Sequence, residues 1–374
     1  SIVVSPWAPP PLRIAGPALG ADQAAAVAAI TATLGGFARF LLDGVTGSGK
    51  TEVYLHALEA VLARGDQGLL LVPEIGLTPQ LLARLRERLP GRVAALHSEL
   101  SEGERAQVWR AAARGEVDVL VGTRSAVFAP LPRLGLIVVD EEHDASYKQQ
   151  DGIRYHARDV AILRAQAAQT PIVLGSATPS LDTLHRVAGG HISRLCLPER
   201  AGGASRPHWH LVDLRGQRPG DGLAAASLES IRSHLREGAQ VLVFRNRRGY
   251  APTLLCNDCG WHASCPDCDV ALTLHRRSRS LRCHQCGHFE AVPPACPACG
   301  SLALEAQGVG TERLEEALAC HFPGHELVRL DRDTTTRKQS FERAIGRLLE
   351  GRPAIVVGTQ MLAKGHHLPA VTLV

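Results

Sequence analysis

The sequence predicts an α/β fold of two parallel-sheet lobes, with a cysteine-rich insertion in the second lobe. Three observations carry this reading. Short, wholly apolar runs alternate with amphipathic segments, a glycine-rich turn closes the first of those runs, and eight of the ten cysteines fall between residues 256 and 299 as four CxxC pairs. Runs too short for helices and apolar at every position read as strands buried on both faces, the pattern of a parallel sheet covered by helices. A length of 374 residues accommodates two or three domains at roughly 150 residues each. A chain of this size needs no disulfide scaffold, and no apolar run approaches the roughly 18 residues of a membrane-spanning helix. Hydrophobic content of 45% with 21% charged residues fits a soluble globular protein. The formal net charge of +4 neither requires nor excludes a polyanionic partner.

Residues 1–17, SIVVSPWAPPPLRIAGP, are rich in proline and lack a basic stretch ahead of an apolar one. They read as a linker, not a secretory signal, and a cytoplasmic location is expected. The chain opens at Ser1 and stops inside the apolar run 371–374, which reads as a fragment of a longer protein. Strands are expected at 40–43, 68–73, 93–97, 117–122, 136–140 and 172–175, with a helix at 101–113, making a first lobe over 18–200. The stretch 199–222, rich in Gly, Pro and Arg, reads as the crossing between domains. The second lobe begins over 201–252 with a strand at 240–246, is interrupted by the cysteine segment at 253–302, and continues over 303–374. Helices at 311–321 and 336–349 and strands at 326–330 and 354–358 complete it. VDVLVGTRS at 117–125 and AIVVGTQM at 354–361 echo each other faintly, each a buried strand ending in Gly-Thr.

Residues 44–51 read GVTGSGKT, a phosphate-binding loop set between an expected strand and helix. In that pattern Gly44, Val45, Thr46, Gly47, Ser48 and Gly49 turn backbone N–H groups toward phosphate oxygens. Lys50 reaches the β and γ phosphates, Thr51 ligates Mg²⁺, and the helix N-terminus adds a favourable dipole. An incidental glycine-rich turn is the bland alternative, and the strand and helix around it argue against that. Asp140-Glu141-Glu142-His143 follow the apolar run 135–139. Asp140 can hold Mg²⁺ and Glu141 can orient the attacking water, since phosphoryl transfer depends mainly on positioning and charge stabilisation. An acidic strand end alone could simply face solvent; beside the phosphate loop it implies nucleoside triphosphate hydrolysis. Gly175-Ser176-Ala177-Thr178 stands at the next strand end, either as a γ-phosphate sensor or as a plain turn with a helix starting at Thr178-Pro179.

Paired CxxC spacing without a secretory signal favours metal over disulfides. Cys256, Cys259, Cys265, Cys268, Cys283, Cys286, Cys296 and Cys299 make two Cys₄ sites possible. Sequential and nested pairings both satisfy the spacing. The 14 residues between Cys268 and Cys283 are close to the usual zinc-ribbon interval, which leaves the outer knuckles to close the other site. Zinc is expected ahead of iron–sulfur or rubredoxin-like iron. Cys196 and Cys320 read as ordinary buried thiols, and His366 and His367 as loop residues.

Taken in order, GVTGSGKT at 44–51, PEIGLTPQ at 73–80, GTRSA at 122–126, DEEH at 140–143, GSATP at 175–179 and GTQMLAKGHH at 358–367 resemble the motifs of superfamily 2 helicases. DEEHDASYKQQDGIRYHAR at 140–158, FRNRRGYAP at 244–252 and the eight cysteines narrow the resemblance, over about residues 18–374, to the PriA family of bacterial primosomal helicases. The resemblance implies two RecA-like parallel-sheet helicase lobes with a Cys-rich, double zinc-binding insertion in the second. It implies ATP, Mg²⁺ and two Zn²⁺ in nested sites. The activity implied is a 3′-to-5′ DNA helicase of replication restart that recognises stalled or branched forks and promotes primosome assembly and replicative helicase loading. Implied partners are forked and single-stranded DNA, primosome proteins, single-strand binding protein and the replicative helicase loader, with no membrane, in a bacterial cytoplasm at the nucleoid.

By position, Gln23 matches the family's adenine-reading glutamine. Tyr147, Lys148, Arg154, Tyr155 and His156 match its aromatic-rich loop, in which Tyr faces stack on unpaired bases while Lys and Arg engage phosphates; the bland alternative is two tyrosines of a polar loop docked on the domain surface. Thr78, Thr123 and Thr359 match contacts to the DNA backbone. Residues 253–302 carry Arg276, Arg277, Arg279 and Arg282 against Asp258, Asp267, Asp269 and Glu290, so two Cys₄ zinc sites leave the segment negative. Partner docking or a rigid wedge suits it better than a general DNA clamp. The chain stops before the family's arginine-containing motif VI and lacks its N-terminal DNA-binding, winged-helix and C-terminal domains, so poor ATP hydrolysis is expected of these residues alone. A non-catalytic fork-binding scaffold for primosome loading is the contrasting reading; an intact Lys50, Asp140 and Glu141 speaks for the motor.

Overall fold

A computed structural model describes residues 16–73, 79–98, 100–150, 152–201, 207–215, 223–244, 253–268, 270–275, 279–283, 286–307, 311–330, 340–358 and 368–374. The chain divides into two compact units, Ser1–Pro207 and His208–Val374.

In the first unit the chain order is α1 (Ala21–Thr31), β1 (Arg39–Gly44), α2 (Lys50–Ala63), β2 (Gln67–Leu71), α3 (Pro79–Arg88), β3 (Val93–Leu96), α4 (Glu102–Ala113), β4 (Val119–Gly122), β5 (Leu134–Val139), α5 (Ala157–Ala167), β6 (Ile172–Ser176), α6 (Leu181–Ala188) and β7 (Ser193–Leu197). The strands form one sheet in the order β3-β4-β2-β5-β6-β1-β7, every pairing parallel. Its strands feed two separate cores. Leu41, Leu69, Leu71, Leu120, Ile137, Val139 and Leu174 pack on the side of α4 and α5, while Phe40, Leu42, Leu70, Val119, Val121, Leu136 and Val138 pack on the side of α1 and α2. That division follows from the two-residue side-chain period of a strand, and it is why these runs carry no polar alternation.

Strand β7 falls outside the strands expected from the sequence. It is an edge strand in which only Leu197 is buried, so its sequence SRLCL carries charge and polarity that hide its pairing with β1. Cys196 is correspondingly exposed, not a buried thiol. Helix α6 begins at Leu181, later than Thr178-Pro179, because the Ser180 side chain caps it by accepting from the Thr183 N–H.

The second unit contains α7 (Ala225–Arg236), β8 (Gln240–Phe244), β9 (Thr253–Cys256), β10 (Thr273–His275), β11 (Ser280–Arg282), β12 (Phe289–Ala291), β13 (Leu304–Gln307), α8 (Thr311–His321), β14 (Glu326–Leu330), α9 (Ser340–Leu349), β15 (Ala354–Gly358) and β16 (Val371–Leu373). A parallel sheet in the order β14-β15-β8-β16 again separates two cores. Leu228, Ile231, Leu314, Leu318 and Val357 lie on one face, and Val328, Ile345, Leu348 and Val356 on the other. Cys320 is exposed, contrary to expectation, because Leu314, Leu318 and Phe322 take the buried stripe of α8 and its end. Between β8 and α8 the cysteine segment forms its own strands around a separate small core. Strands β9 and β13 pair antiparallel, Cys256 opposite Leu304, and β10-β11-β12 form a small antiparallel sheet. Among the described residues no helix is long and apolar enough to cross a membrane.

Candidate nucleotide site and cysteine clusters

The carboxyl ends of β1, β6 and β5 lie side by side, which is where an open parallel sheet places ligands. After β1 the chain turns through Gly47 and Gly49, with φ of 81° and 80°, left-handed values that favour glycine. Gly49 caps α2, so this loop delivers its amides at a helix N-terminus, a ready anion site. The Lys50 ammonium donates to the Gly44 carbonyl at 2.9 Å. Gln23 reaches the loop: its Nε2 donates to the Ser48 carbonyl at 2.8 Å, while its Oε1 accepts from the Gly20 N–H at 2.8 Å. The chain after β7 frames the other side, with Val45 N–H on the Leu197 carbonyl and Ala201 N–H on the Gly47 carbonyl.

Asp140 follows β5, and its carboxylate accepts the Tyr54 hydroxyl at 2.9 Å. Burial first, and then the Glu141 carboxylate, push the Asp140 carboxyl up to about 6, against the Tyr54 hydroxyl and the Lys50 charge, which hold it down. Glu141 sits at φ 47°, a left-handed conformation that costs a non-glycine residue energy and clusters at functional sites. His143 Nδ1 meets the Ser176 hydroxyl at 2.7 Å and its Nε2 meets the Thr178 hydroxyl at 3.4 Å. The acidic block and the GSAT turn are therefore joined directly.

Glu142 is fully buried. It accepts from Arg158 Nη1 at 3.0 Å, the Ser180 N–H at 2.6 Å, the Ser180 hydroxyl at 3.0 Å and the Thr183 hydroxyl at 2.9 Å. Removing one partner of a buried ion pair strands the other, at about 3–5 kcal/mol. Arg158→Ala is thus expected to lower the free energy of unfolding by about that amount in urea titrations, and Arg158→Ala/Glu142→Gln to lower it by less than Arg158→Ala alone.

The loop expected to stack bases through two tyrosines is built differently. Tyr147 is fully buried and its hydroxyl donates to the Asp140 carbonyl at 2.7 Å, so it offers no face to a base. Its place in a short 3₁₀ turn directly after the acidic block folds it inward. Tyr155 is half-buried and packs edge-on against exposed Phe128, centroids 4.9 Å apart. Lys148 and His156 bridge antiparallel, Gln149 N–H bonds the Tyr155 carbonyl, and Arg124 ties the loop's base through the Ser146 and Lys148 carbonyls. Lys148 and Arg154 are exposed. Thr123 is buried at the end of β4. Thr78, Thr359, His366, His367, Arg276, Arg277 and most of 73–80, 244–252 and 358–367 lie outside the described residues.

The eight cysteines gather into two nested clusters, Cys256/Cys259/Cys296/Cys299 and Cys265/Cys268/Cys283/Cys286, the sulfurs of each within 4.8 Å of one another. Backbone N–H groups of Cys286 and His288 point at the sulfurs of Cys283 and Cys286, at 3.5 and 3.4 Å. The hydrogen bond with Cys286 pushes the Cys268 thiol up to about 12: four crowded sulfurs cannot all ionise without a cation. Four soft sulfur donors within reach of one ion fit zinc.

Residues 21–187 match the DEAD/DEAH box helicase family, and residues 265–290 match the PriA DNA helicase Cys-rich region domain. Replication restart protein PriA of Haemophilus influenzae is 49% identical over 339 residues, covering 91% of this chain and 46% of that protein. The chain belongs to the PriA family. PriA of Bacillus subtilis is 46% identical over 338 residues, covering 90% of this chain and 42% of that protein. The chain thus spans about half the length of the PriA relatives it matches. The fold is shared with RecG bound to a three-way DNA junction (TM-score 0.54, 18% identity, 96% of this chain and 38% of that one). It is shared too with the DEAD-box helicase Mss116 bound to single-stranded RNA (TM-score 0.55, 14% identity, 95% and 63%). Within this PriA-family chain, Tyr54, Glu142, Arg158 and Phe128 were not singled out by sequence reasoning. A buried Tyr one turn after the loop lysine gives no local signal, whereas the second acid of Glu141-Glu142 could have been suspected, since one strand end has room for few solvent-facing charges.

Proposed function

We propose that this chain works in an ATP-driven DNA helicase of replication restart that moves 3′ to 5′, recognises stalled or branched forks, and promotes primosome assembly and replicative helicase loading. The observation that carries this reading is the meeting of Lys50, Asp140 and Glu141 at one sheet edge in a PriA-family chain. Amides of residues 44–49 hold the phosphates, the Lys50 ammonium balances the charge that builds on them, and Gln23 faces the adenine while bracing the loop through Ser48. Thr51 and Asp140 hold Mg²⁺, which when bound neutralises charge on the phosphate oxygens. Glu141 orients the attacking water and takes its proton. Lys50, Asp140 and Glu141 are thus the residues of catalysis in this reading.

Lys148 and Arg154 engage DNA phosphates, and the Tyr155–Phe128 pair offers a ring surface to bases. Two Zn²⁺ held by the eight cysteines fix the insertion. The partners are forked and single-stranded DNA, primosome proteins, single-strand binding protein and the helicase loader, in the bacterial cytoplasm at the nucleoid. The test uses the intact protein on labelled forks whose single-stranded arm ends 3′ or 5′. ATP-dependent displacement is expected only where travel is 3′ to 5′. Unwinding of the opposite polarity would overturn the assignment, and tight fork binding without turnover would replace the motor by a loading scaffold.

A further inference from the structure

We propose that Tyr54 is a positioning residue of the nucleotide site, its hydroxyl holding the Asp140 carboxylate in the orientation from which it serves Mg²⁺. The inference rests on the reading of Asp140 as the Mg²⁺ carboxylate. Tyr54 lies four residues after Lys50 on α2, so the two side chains share a helix face. Lys50 stays at the phosphate loop. Tyr54 is 2% exposed and spans to the end of β5, donating to Asp140 Oδ1 at 2.9 Å across 86 positions of sequence.

Two further features show that the fold reserves this place for a hydroxyl. The fully buried Tyr54 phenol needs an acceptor, and the half-buried Asp140 carboxylate loses a charge-assisted hydrogen bond if that donor is removed. Gly175 on the intervening strand β6 leaves the room: a Cβ there would overlap the Tyr54 hydroxyl. The backbone of Asp140 is meanwhile held separately, its N–H on the Leu71 carbonyl and its carbonyl under the Tyr147 hydroxyl. Main chain and side chain of Asp140 are therefore anchored by different tyrosines. Tyr54, with the adjacent Glu141 N–H, governs the carboxylate.

The test measures equilibrium binding of a fluorescent ATP analogue in Mg²⁺ and in EDTA, for the intact protein and for Tyr54→Phe, Asp140→Asn, Gly175→Ala and Tyr54→Phe/Asp140→Asn. Tyr54→Phe is expected to leave EDTA binding within about twofold and to lower the Mg²⁺ enhancement of affinity about tenfold, as for the loss of one hydrogen bond to a charged group. Combining it with Asp140→Asn is expected to add nothing, the non-additivity of two residues acting as one unit. Gly175→Ala, which displaces the same hydroxyl from the strand side, is expected to reproduce the loss. The proposal is overturned if Tyr54→Phe keeps the full Mg²⁺ enhancement, or weakens binding equally with and without Mg²⁺. An enhancement untouched by Asp140→Asn would instead overturn the Mg²⁺ role of Asp140 and with it the inference.

Discussion

Glu141→Gln is expected to lower DNA-stimulated ATP turnover about 10²–10⁴-fold, the range a positioned general base contributes, while leaving nucleotide binding close to unchanged. The substitution keeps the side chain's size and removes its negative charge, and with it both the ability to take a proton and the repulsion on the Asp140 carboxylate. The left-handed backbone at position 141 is no harder for Gln than for Glu, so the local fold is retained. Lys50→Ala differs in kind, because it removes the cation that sits at the phosphate loop and should weaken nucleotide binding as well as turnover. Measuring both quantities in the intact protein separates the two roles. Equal turnover in Glu141→Gln and the parent would remove Glu141 from catalysis.

The second large effect concerns the cysteine clusters. Among the described residues the buried core of the insertion is Leu254, Ala263, Leu272 and Leu281 with two cysteines, and Trp261, Val270, Leu274, Val292 and Leu304 pack half-buried against it, too few side chains to outweigh the entropy of ordering some fifty residues. Structural zinc supplies about 10–16 kcal/mol in small zinc-dependent folds. Removing the metal with a strong chelator is therefore expected to expose 253–304 to proteolysis while the first unit retains nucleotide binding. Elemental analysis should find two zinc ions per chain, falling to one in Cys283→Ser and to one in Cys296→Ser. Retention of protease resistance after complete metal loss would show that the insertion stands on side-chain packing alone.

What the sequence made legible was whatever left a local signature. Strands such as LIVV in β5 are apolar on both faces and could hardly be anything else, and the phosphate loop and CxxC pairs announce themselves through fixed spacing. Their nested arrangement was open from spacing and is settled by the pairing of β9 with β13. What stayed hidden depended on distant partners. Strand β7 is recognisable only once β1 lies beside it, because one buried residue in five leaves no period to read. Tyr147 looked like a base-stacking residue among polar neighbours; its burial follows from the Asp140 carbonyl, which becomes its acceptor only in the folded turn. Glu142 and Arg158 are 16 residues apart; the crowded strand end hints at Glu142, but nothing local names Arg158 as its partner.

The antiparallel pairing that sets Cys256 opposite Leu304 has an architectural consequence. Entry and exit of the insertion stand next to each other on the paired strands β9 and β13, so the insertion leaves the parent lobe and returns to it through the stem of a hairpin. Polymer statistics make the length of such a graft nearly immaterial, since doubling a closed loop adds only about 0.6 kcal/mol of closure entropy. The module is thereby portable: a labelling domain or an unrelated metal-free hairpin spliced at the same two positions would leave the threading of the parallel sheet untouched. Whatever the module does can then be subtracted from the motor by exchanging it.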